Sequence, residues 1–316
     1  MALLSACSGE RNKGEVTDFK ALEYLGQIDQ LNDTTFLSDA VFHLTVYGDT
    51  LAMADSKQGK VFFCTKDGRL LGSIGRKGEG PGEFLGLKQF VRLDDSTCFM
   101  RDTYKNKMAY YTNEHCEREL QDREPGYFTR ICRLGDDLYF YEKNFGGQLC
   151  RMNLGTDSVS FFGHAQDFEF KDITAVRNQR HVVTDGKYLY AARVDRPIVE
   201  KYTTEGEWVQ TLDLSYMPIF KQIIEEDAIA SSNSWPCVGI DIYPVNGKLY
   251  YLVGFQIDDK HRGSDKLVVI TTDGSQMQVE SLHSLSEGWY YSTLAVSGDE
   301  LYAFEWAQGV MHKYKL

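Results

Sequence analysis

The segment Ser297-Gly298-Asp299-Glu300-Leu301-Tyr302 is a tight turn followed at once by an apolar strand that carries an aromatic residue. The chain of 316 residues contains six such segments, whose turns begin at positions 48, 94, 135, 185, 246 and 298. Successive copies lie 46, 41, 50, 61 and 52 residues apart, a period typical of radial β-sheet repeats. The other copies are Tyr47-Gly48-Asp49-Thr50-Leu51, Leu93-Asp94-Asp95-Ser96-Thr97, Leu134-Gly135-Asp136-Asp137-Leu138-Tyr139, Thr184-Asp185-Gly186-Lys187-Tyr188-Leu189-Tyr190 and Val245-Asn246-Gly247-Lys248-Leu249-Tyr250.

Each repeat has room for four short strands, and the first repeat shows them most clearly. Apolar runs over 41–46, 51–54, 60–64 and 69–74 predict strands, and Lys66-Asp67-Gly68 predicts a hairpin between the last two. Four antiparallel strands of this length form one propeller blade. The sequence therefore predicts an all-β fold, a six-bladed β-propeller of four-stranded antiparallel blades over residues 16–316.

The sixth repeat ends one strand short at Leu316, and the N-terminal part of the chain contains an unused strand over 21–28. A blade without its outer strand would leave an open sheet edge, which closed arrays avoid. We therefore predict that the N-terminal strand completes the sixth blade and closes the ring.

The longest step, between the fourth and fifth copies, contains a helical pattern rather than a strand pattern. We predict one inserted helix over about 216–230, covering one face of the propeller, with Pro218 in its first turn. The loop after the helix contains Trp235 and is expected to reach toward the central opening. The apolar residues that recur at helical spacing are Ile219, Phe220, Ile223, Ile224 and Ala228.

Composition limits the classes of partner. The formal net charge is −12, and a general nucleic-acid binder would need a basic stripe to displace counterions from phosphates. The remaining partners are a small molecule, a glycan or another protein. Aromatic residues make up 13% of the chain, which suits many short strands packed between stacked sheets.

The N-terminus carries a signal of its own. Leu4-Ser5-Ala6-Cys7 has the residue order of a bacterial lipobox, and residues 8–15 form a polar tether. The apolar stretch before Ser5 is only the four residues 1–4, whereas an export signal needs an apolar region of about 7–15 residues. We therefore expect the true start to lie upstream. The sequence predicts lipidation at Cys7 and contact with a membrane only through that lipid.

Six further cysteines are spread through the repeats. They include no CxxC motif and no His-rich cluster, so a structural zinc site is not expected. Buried free thiols are the expected state, while a disulfide between Cys132 and Cys150 stays open from sequence.

The segment Gly75-Arg76-Lys77-Gly78-Glu79-Gly80-Pro81-Gly82-Glu83-Phe84 resembles the linker between blades of NHL-type six-bladed β-propellers. Together with Leu4 to Cys7, it makes the chain similar to the six-bladed propeller lipoproteins common in Bacteroidetes. The resemblance implies a propeller anchored by lipid to the outer membrane of a bacterial cell envelope. The glycine run is not expected to cradle phosphate, because no Gly-Lys-Ser/Thr follows and the next element is a strand.

Candidate binding residues follow from the four-strand template, which assigns side chains to the innermost strands and to the loops near the axis. An excess of arginine in blades three and four favours a ligand with a carboxylate or phosphate group, and exposed aromatics offer contact surfaces. The predicted ligand-binding residues are Arg130, Arg177, Arg180, His181, Arg193, Arg196, Trp235, Asp241, Tyr291 and Trp306.

Three functions remain open from sequence. The first is a non-catalytic module that binds a glycan, a peptide or a small acid. The second is a metal-dependent hydrolase or lyase on the axis, with Ca²⁺ or Zn²⁺ held by carboxylates such as Asp55, Asp102 and Asp241 or by His43 and His181. The third is an assembly component whose face docks another protein.

Overall fold

The computed structural model describes residues 18–112, 115–120, 129–143, 147–168, 171–229, 236–257, 262–272 and 276–316. Six β-sheets surround a central axis. Before the first of them lie β1 (Lys20–Ala21), β2 (Glu23–Ile28), β3 (Gln30–Asn32) and β4 (Thr35–Phe36), of which β3 and β4 pair with each other.

The first three blades follow in chain order, each from its innermost to its outermost strand. Blade one contains β5 (Val41–Tyr47), β6 (Thr50–Asp55), β7 (Lys60–Thr65) and β8 (Leu70–Ile74). Blade two contains β9 (Leu87–Arg92), β10 (Thr97–Asp102), β11 (Lys107–Thr112) and β12 (His115–Leu120). Blade three contains β13 (Cys132–Leu134), β14 (Asp137–Glu142), β15 (Gln148–Asn153) and β16 (Val159–Phe162).

The last three blades repeat the pattern until the chain ends. Blade four contains β17 (Arg180–Thr184), β18 (Leu189–Arg193), β19 (Ile198–Tyr202) and β20 (Trp208–Asp213). Blade five contains β21 (Gly239–Val245), β22 (Lys248–Gln256), β23 (Arg262–Thr271) and β24 (Gln278–Ser284). The C-terminal part of the chain contributes three strands to blade six, β25 (Tyr291–Ser297), β26 (Glu300–Glu305) and β27 (Val310–Lys315).

The N-terminal strand closes the ring. Strand β2 pairs antiparallel with β27, with Tyr24 opposite Tyr314 and Ile28 opposite Met311, so it is the outer strand of blade six. This confirms the predicted propeller and its closure. The sequence did not predict β1, which pairs in parallel with β24 and ties the same end of the chain to blade five.

Among the described residues, two helices lie outside the blades. The first, α1 (Lys171–Arg177), was not predicted from sequence. The second, α2 (Pro218–Ile229), matches the predicted helix, and its Phe220 and Ile223 are fully buried against the core of blades four and five. Within the described ranges, neither helix has the length and apolar character needed to cross a membrane.

The glycine-rich linker is fixed by the protein's own carboxylates. The backbone N–H of Gly80 donates to Glu83 at 2.8 Å, and that of Gly82 donates to Glu119 at 2.7 Å. Phe84 is fully buried and packs on Tyr111 at 5.5 Å between ring centroids. The linker therefore anchors the crossing between blades and directs these N–H groups to protein acceptors.

Cysteines 64, 98, 116, 132, 150 and 237 are free thiols. Cys132 belongs to the apolar cluster between blades three and four, whereas Cys150 belongs to the cluster between blades two and three. The two side chains thus lie on opposite faces of the same blade, which explains why they do not pair.

Candidate functional site

A network of buried polar side chains fills the propeller axis. Arg130, two residues before β13, forms an ion pair with Asp241 of β21, and its Nη2 lies 2.6 Å from Asp241 Oδ2. The two side chains are only 6% and 3% exposed. A charge at this depth is tolerated only when its hydrogen-bonding capacity is used in full.

The network reaches across the ring from these two residues. Asp241 accepts from Thr293 Oγ1 at 2.7 Å and from the backbone N–H of Leu294 at 2.8 Å. Arg130 Nη2 also donates to the carbonyl of Leu44 at 3.0 Å. Burial alone would raise the pKa of Asp241, but the Arg130 guanidinium outweighs it and holds that pKa below its ordinary value. The network therefore links blades one, three, five and six.

Two histidines lie beside this pair. His181 Nε2 lies 3.2 Å from the Gly239 carbonyl, and its Nδ1 accepts from the backbone N–H of Arg130 at 3.3 Å, so the proton belongs on Nε2. His43 packs on Phe90, and its Nδ1 has no hydrogen-bond partner among the described residues. Burial, reinforced by Arg130, lowers the pKa of His43 to about 3, and burial also lowers the pKa of His181.

We expect His43 to make the fold sensitive to acid. Below about pH 6.5 the unfolded chain protonates this histidine while the folded protein does not, so stability falls as the pH decreases from about 6.5 toward about 3. His43→Phe removes the imidazole and should reduce the loss of unfolding free energy between pH 7 and pH 5 by about 2 kcal/mol. Urea unfolding at both pH values measures this change in the free energy of unfolding.

The control for this prediction is His115→Phe, because His115 is exposed on β12. This variant should keep the pH dependence of the unmodified protein. Equal pH dependence in the His43→Phe variant and the unmodified protein would show that His43 does not cause the acid sensitivity.

A pocket of about 330 Å³ lies at one end of the axis. Its walls come from the innermost strands of blades one to five, mostly near the turns that join first and second strands, and from Arg130 and Ile131 just before β13. This volume falls at the lower end of the range for small-molecule sites. The lining residues are His43, Thr45, Tyr47, Phe90, Val91, Arg92, Arg130, Ile131, Cys132, Arg133, Val183, Thr184, Tyr243 and Pro244.

The pocket is electropositive although the protein is acidic. The charged side chains that line it are Arg92, Arg130 and Arg133, and its lining includes no carboxylate. Asp241 neutralises Arg130, and Asp95 lies 3.0 Å from Arg92. Arg133 instead donates to the backbone carbonyls of Gly135 and Leu93, and no carboxylate among the described residues forms an ion pair with it. This arrangement favours an anionic ligand group.

Two tyrosines add hydrogen-bond donors to the wall. The hydroxyl of Tyr47 accepts from the backbone N–H of Arg92 at 3.1 Å, and that of Tyr243 accepts from Val46 at 3.2 Å. Within the described ranges neither hydroxyl donates to a protein acceptor, so each can donate to a ligand. Burial raises the pKa of Tyr47 to about 12, which keeps this donor protonated at neutral pH.

The structure brings three of the residues predicted from sequence together at the axis, namely Arg130, His181 and Asp241. Three others lie near the opposite end of the inner strands, where Arg193 pairs with Asp195 at 2.9 Å and Arg196 Nε lies 3.8 Å from the same carboxylate. The backbone carbonyl of Arg177 accepts a hydrogen bond from Arg193 Nη2. Arg177 is the last residue of α1, a helix that was not predicted from sequence.

Of the remaining predicted residues, Arg180 lies opposite Arg193 in the register of β17 and β18 but forms an ion pair of its own. Arg180 pairs with Glu200 at 2.8 Å and also donates to three backbone carbonyls. Tyr291 is 1% exposed and hydrogen bonds His312 and Tyr314 inside blade six, so it is not a surface contact group. Trp306 is exposed. Trp235 and the predicted lipid site Cys7 lie outside the described residues.

The residues considered for a metal do not fit one. Asp55 and Asp102 accept backbone N–H groups of nearby loops, including Gln58 at 2.9 Å and Leu85 at 2.6 Å. Asp241 is saturated by the axial network. In the part of the chain that the structure describes, no three His, Cys, Asp or Glu side chains are grouped to hold an ion.

Sequence reasoning missed Tyr47, Arg133 and Tyr243 as pocket residues. Each lies on an innermost strand, one to three residues before the turn that starts the next strand. Their position relative to the repeated turns is a signal in the sequence that could have identified them.

Comparison with known proteins supports the fold. Residues 31–196 match the model of the DUF5128 family, a 6-bladed beta-propeller. No curated protein matches the sequence.

Three solved structures similar to this chain are distant from it in sequence. A candidate exported protein from Bacteroides fragilis is 14% identical with a TM-score of 0.61, covering 92% of this chain and 86% of that one. A DUF4221 family member from Bacteroides vulgatus is 11% identical with a TM-score of 0.57, covering 96% and 98%. Catalytically inactive virginiamycin B lyase from Staphylococcus aureus with quinupristin is 12% identical with a TM-score of 0.57, covering 92% and 87%. These identities show a shared fold alone.

Proposed function

Because the chain belongs to the DUF5128 family of six-bladed β-propellers, we propose that it is a binding module whose axial pocket takes up the carboxylate of a small amphipathic acid. The observation that carries this proposal is the lining of the pocket, in which every charged side chain is an arginine. Arg133 is the anchoring group, since within the described part of the chain it donates to backbone carbonyls and pairs with no carboxylate.

The apolar part of the lining supports an amphipathic ligand rather than an inorganic anion. Phe90, Ile131 and Val183 line the same pocket as the arginines, and the rings of Tyr47 and Tyr243 contribute further apolar surface. A carboxylate bound by Arg133 would therefore leave an aliphatic or aromatic remainder in contact with these side chains. The tyrosine hydroxyls would donate to the carboxylate or to a neighbouring acceptor.

The proposal is tested with phenylacetate and its uncharged isostere phenylacetamide, by isothermal titration or ligand-observed NMR. We expect phenylacetate to bind at least about tenfold more tightly than phenylacetamide. Arg133→Gln should weaken phenylacetate binding by about tenfold or more, because a charge-assisted hydrogen bond contributes about 1.5–3 kcal/mol. The affinity of this variant for phenylacetamide should differ little from that of the unmodified protein.

The matched control is Arg118→Gln. Arg118 is a partly exposed arginine that pairs with Asp157 outside the pocket, and its replacement should leave phenylacetate binding unchanged. Equal binding of both probes, no binding of either, or an Arg133→Gln variant that binds like the unmodified protein would each overturn the proposal.

We also infer a place at the cell envelope. The lipobox-like Leu4-Ser5-Ala6-Cys7 supports attachment to the outer membrane through a lipid on Cys7, which fatty-acid labelling of a Cys7→Ser variant would test. The likeness in fold to a candidate exported protein agrees with this location.

A further inference from the structure

Blade six carries three aromatic side chains on two adjacent loops, at the end of the propeller opposite the axial pocket. Trp289 and Tyr290 precede β25, and Trp306 follows β26. Trp289 is 56% exposed and Trp306 is 46% exposed. The rings of Tyr290 and Trp306 pack with centroids 5.5 Å apart and planes at 53°. We call these three residues the aromatic shelf.

A buried carboxylate holds both loops of the shelf in place. Glu305, only 1% exposed, accepts the backbone N–H of Tyr290 at 3.2 Å and that of Gln308 at 2.6 Å. The N–H of Trp306 donates to the Tyr290 carbonyl at 3.0 Å. The loops are therefore fixed in the free protein, and a ligand would not have to order them.

Blade one shows that a carboxylate can fix the corresponding loops without aromatic residues. Asp55-Ser56-Lys57-Gln58-Gly59 occupies the same position as Glu305-Trp306-Ala307-Gln308-Gly309, immediately after the second strand. Asp55 likewise accepts the N–H of Gln58 at 2.9 Å and that of Ser38 at 3.0 Å. A serine therefore stands where blade six has Trp306. The carboxylate contacts therefore do not require an exposed indole at this position. Exposed apolar clusters mark binding surfaces.

The polar groups around the shelf narrow the class of ligand. The segments 284–291 and 305–309 contain no lysine or arginine, while Ser286, Glu287 and Gln308 supply hydroxyl, carboxylate and amide groups. A pyranose ring offers the matching chemistry, since its C–H face packs on an aromatic ring and its hydroxyls hydrogen bond carboxylates and amides. A ligand anchored by negative charge finds no cation on these segments.

We propose that the aromatic shelf of blade six binds a sugar ring of a neutral glycan, with Trp306 as the stacking platform. Glu287 and Gln308 flank the platform as hydrogen-bonding groups for the sugar hydroxyls. This site is separate from the axial pocket in position and in ligand charge.

The experiment titrates the full chain with soluble hexasaccharides of glucose, xylose and mannose, followed by tryptophan fluorescence and calorimetry. Saturable binding of at least one of them is expected, and Trp306→Ala should weaken it by about tenfold or more, because the variant removes the ring on which the sugar packs. Trp306 is exposed, so this variant should keep its melting temperature.

Two controls separate the site from general effects. Trp208→Ala removes another exposed tryptophan, located on the outer strand of blade four, and should leave glycan binding unchanged. Arg133→Gln should also leave it unchanged, so failure of the axial pocket proposal would not affect this one. Absence of binding to all three hexasaccharides, equal binding by the Trp306→Ala variant, or binding of a proline-rich decapeptide in their place would overturn the proposal.

Discussion

Asp241→Ala is expected to lower the free energy of unfolding by about 3–5 kcal/mol. The substitution leaves the Arg130 guanidinium buried without its counter-charge and removes the acceptor for Thr293 and Leu294. A typical domain has only about 5–15 kcal/mol of stability in total, so this variant should lie near the limit of folding. Urea unfolding at neutral pH, followed by circular dichroism, measures the change.

The control is Asp39→Ala, which breaks the exposed pair with Lys57. Exposed ion pairs contribute about 0–1 kcal/mol, so this variant should unfold like the unmodified protein. A second variant, Arg130→Met combined with Asp241→Leu, should be more stable than Asp241→Ala alone, because no charge remains unpaired at the axis. A loss below about 1 kcal/mol in Asp241→Ala would contradict the structural role given to the axial pair.

Removal of the closing strand is expected to lower the free energy of unfolding by a similar or larger amount. A chain that begins at Asp29 lacks both β1 and β2, and the register of β2 with β27 joins five pairs of residues. At about 1 kcal/mol for each backbone hydrogen bond, the ladder alone contributes roughly 5 kcal/mol. Loss of the strand also leaves β27 as an open edge that can pair with other chains. Thermal unfolding and size-exclusion chromatography should show a large fall in melting temperature, together with aggregation.

Addition of a synthetic peptide covering residues 20–29 to the shortened chain should restore part of the stability, because it can occupy the place of β2. A chain shortened only by residues 1–17 is the matched control and should melt like the full chain. If the chain without β2 stayed monomeric with an unchanged melting temperature, the ring would not depend on its N-terminal strand.

The closing strand was predictable because the number of strands in each repeat can be counted from the sequence. Five repeats contain a second turn, the sixth does not, and one strand-like segment precedes the first blade. The parallel pairing of β1 with β24 was not predictable in this way, since a strand of two residues has no pattern to detect. The same holds for α1, whose seven residues interrupt the regular passage from blade three to blade four.

The carboxylates near the axis show where residue type alone misleads. Asp55 and Asp102 were candidate metal ligands, yet both hold loops in place through backbone N–H groups, and Glu305 does the same in blade six. The same carboxylate group can either accept backbone N–H groups that fix a loop or bind a metal ion. Only the position of its neighbours distinguishes the two.

The sequence by itself determined the all-β fold, the number of blades and the closure, because turns and alternating strands are local patterns that repeat along the chain. Tertiary structure alone decided which arginines share a site. Arg130 and Asp241 are 111 residues apart and meet only because the ring brings their blades to the axis. Arg180 and Arg133 both belong to innermost strands, but register turns the first toward Glu200 and leaves the second in the pocket. A shift of one residue reverses the direction of a strand's side chains, and no local pattern specifies it to that precision.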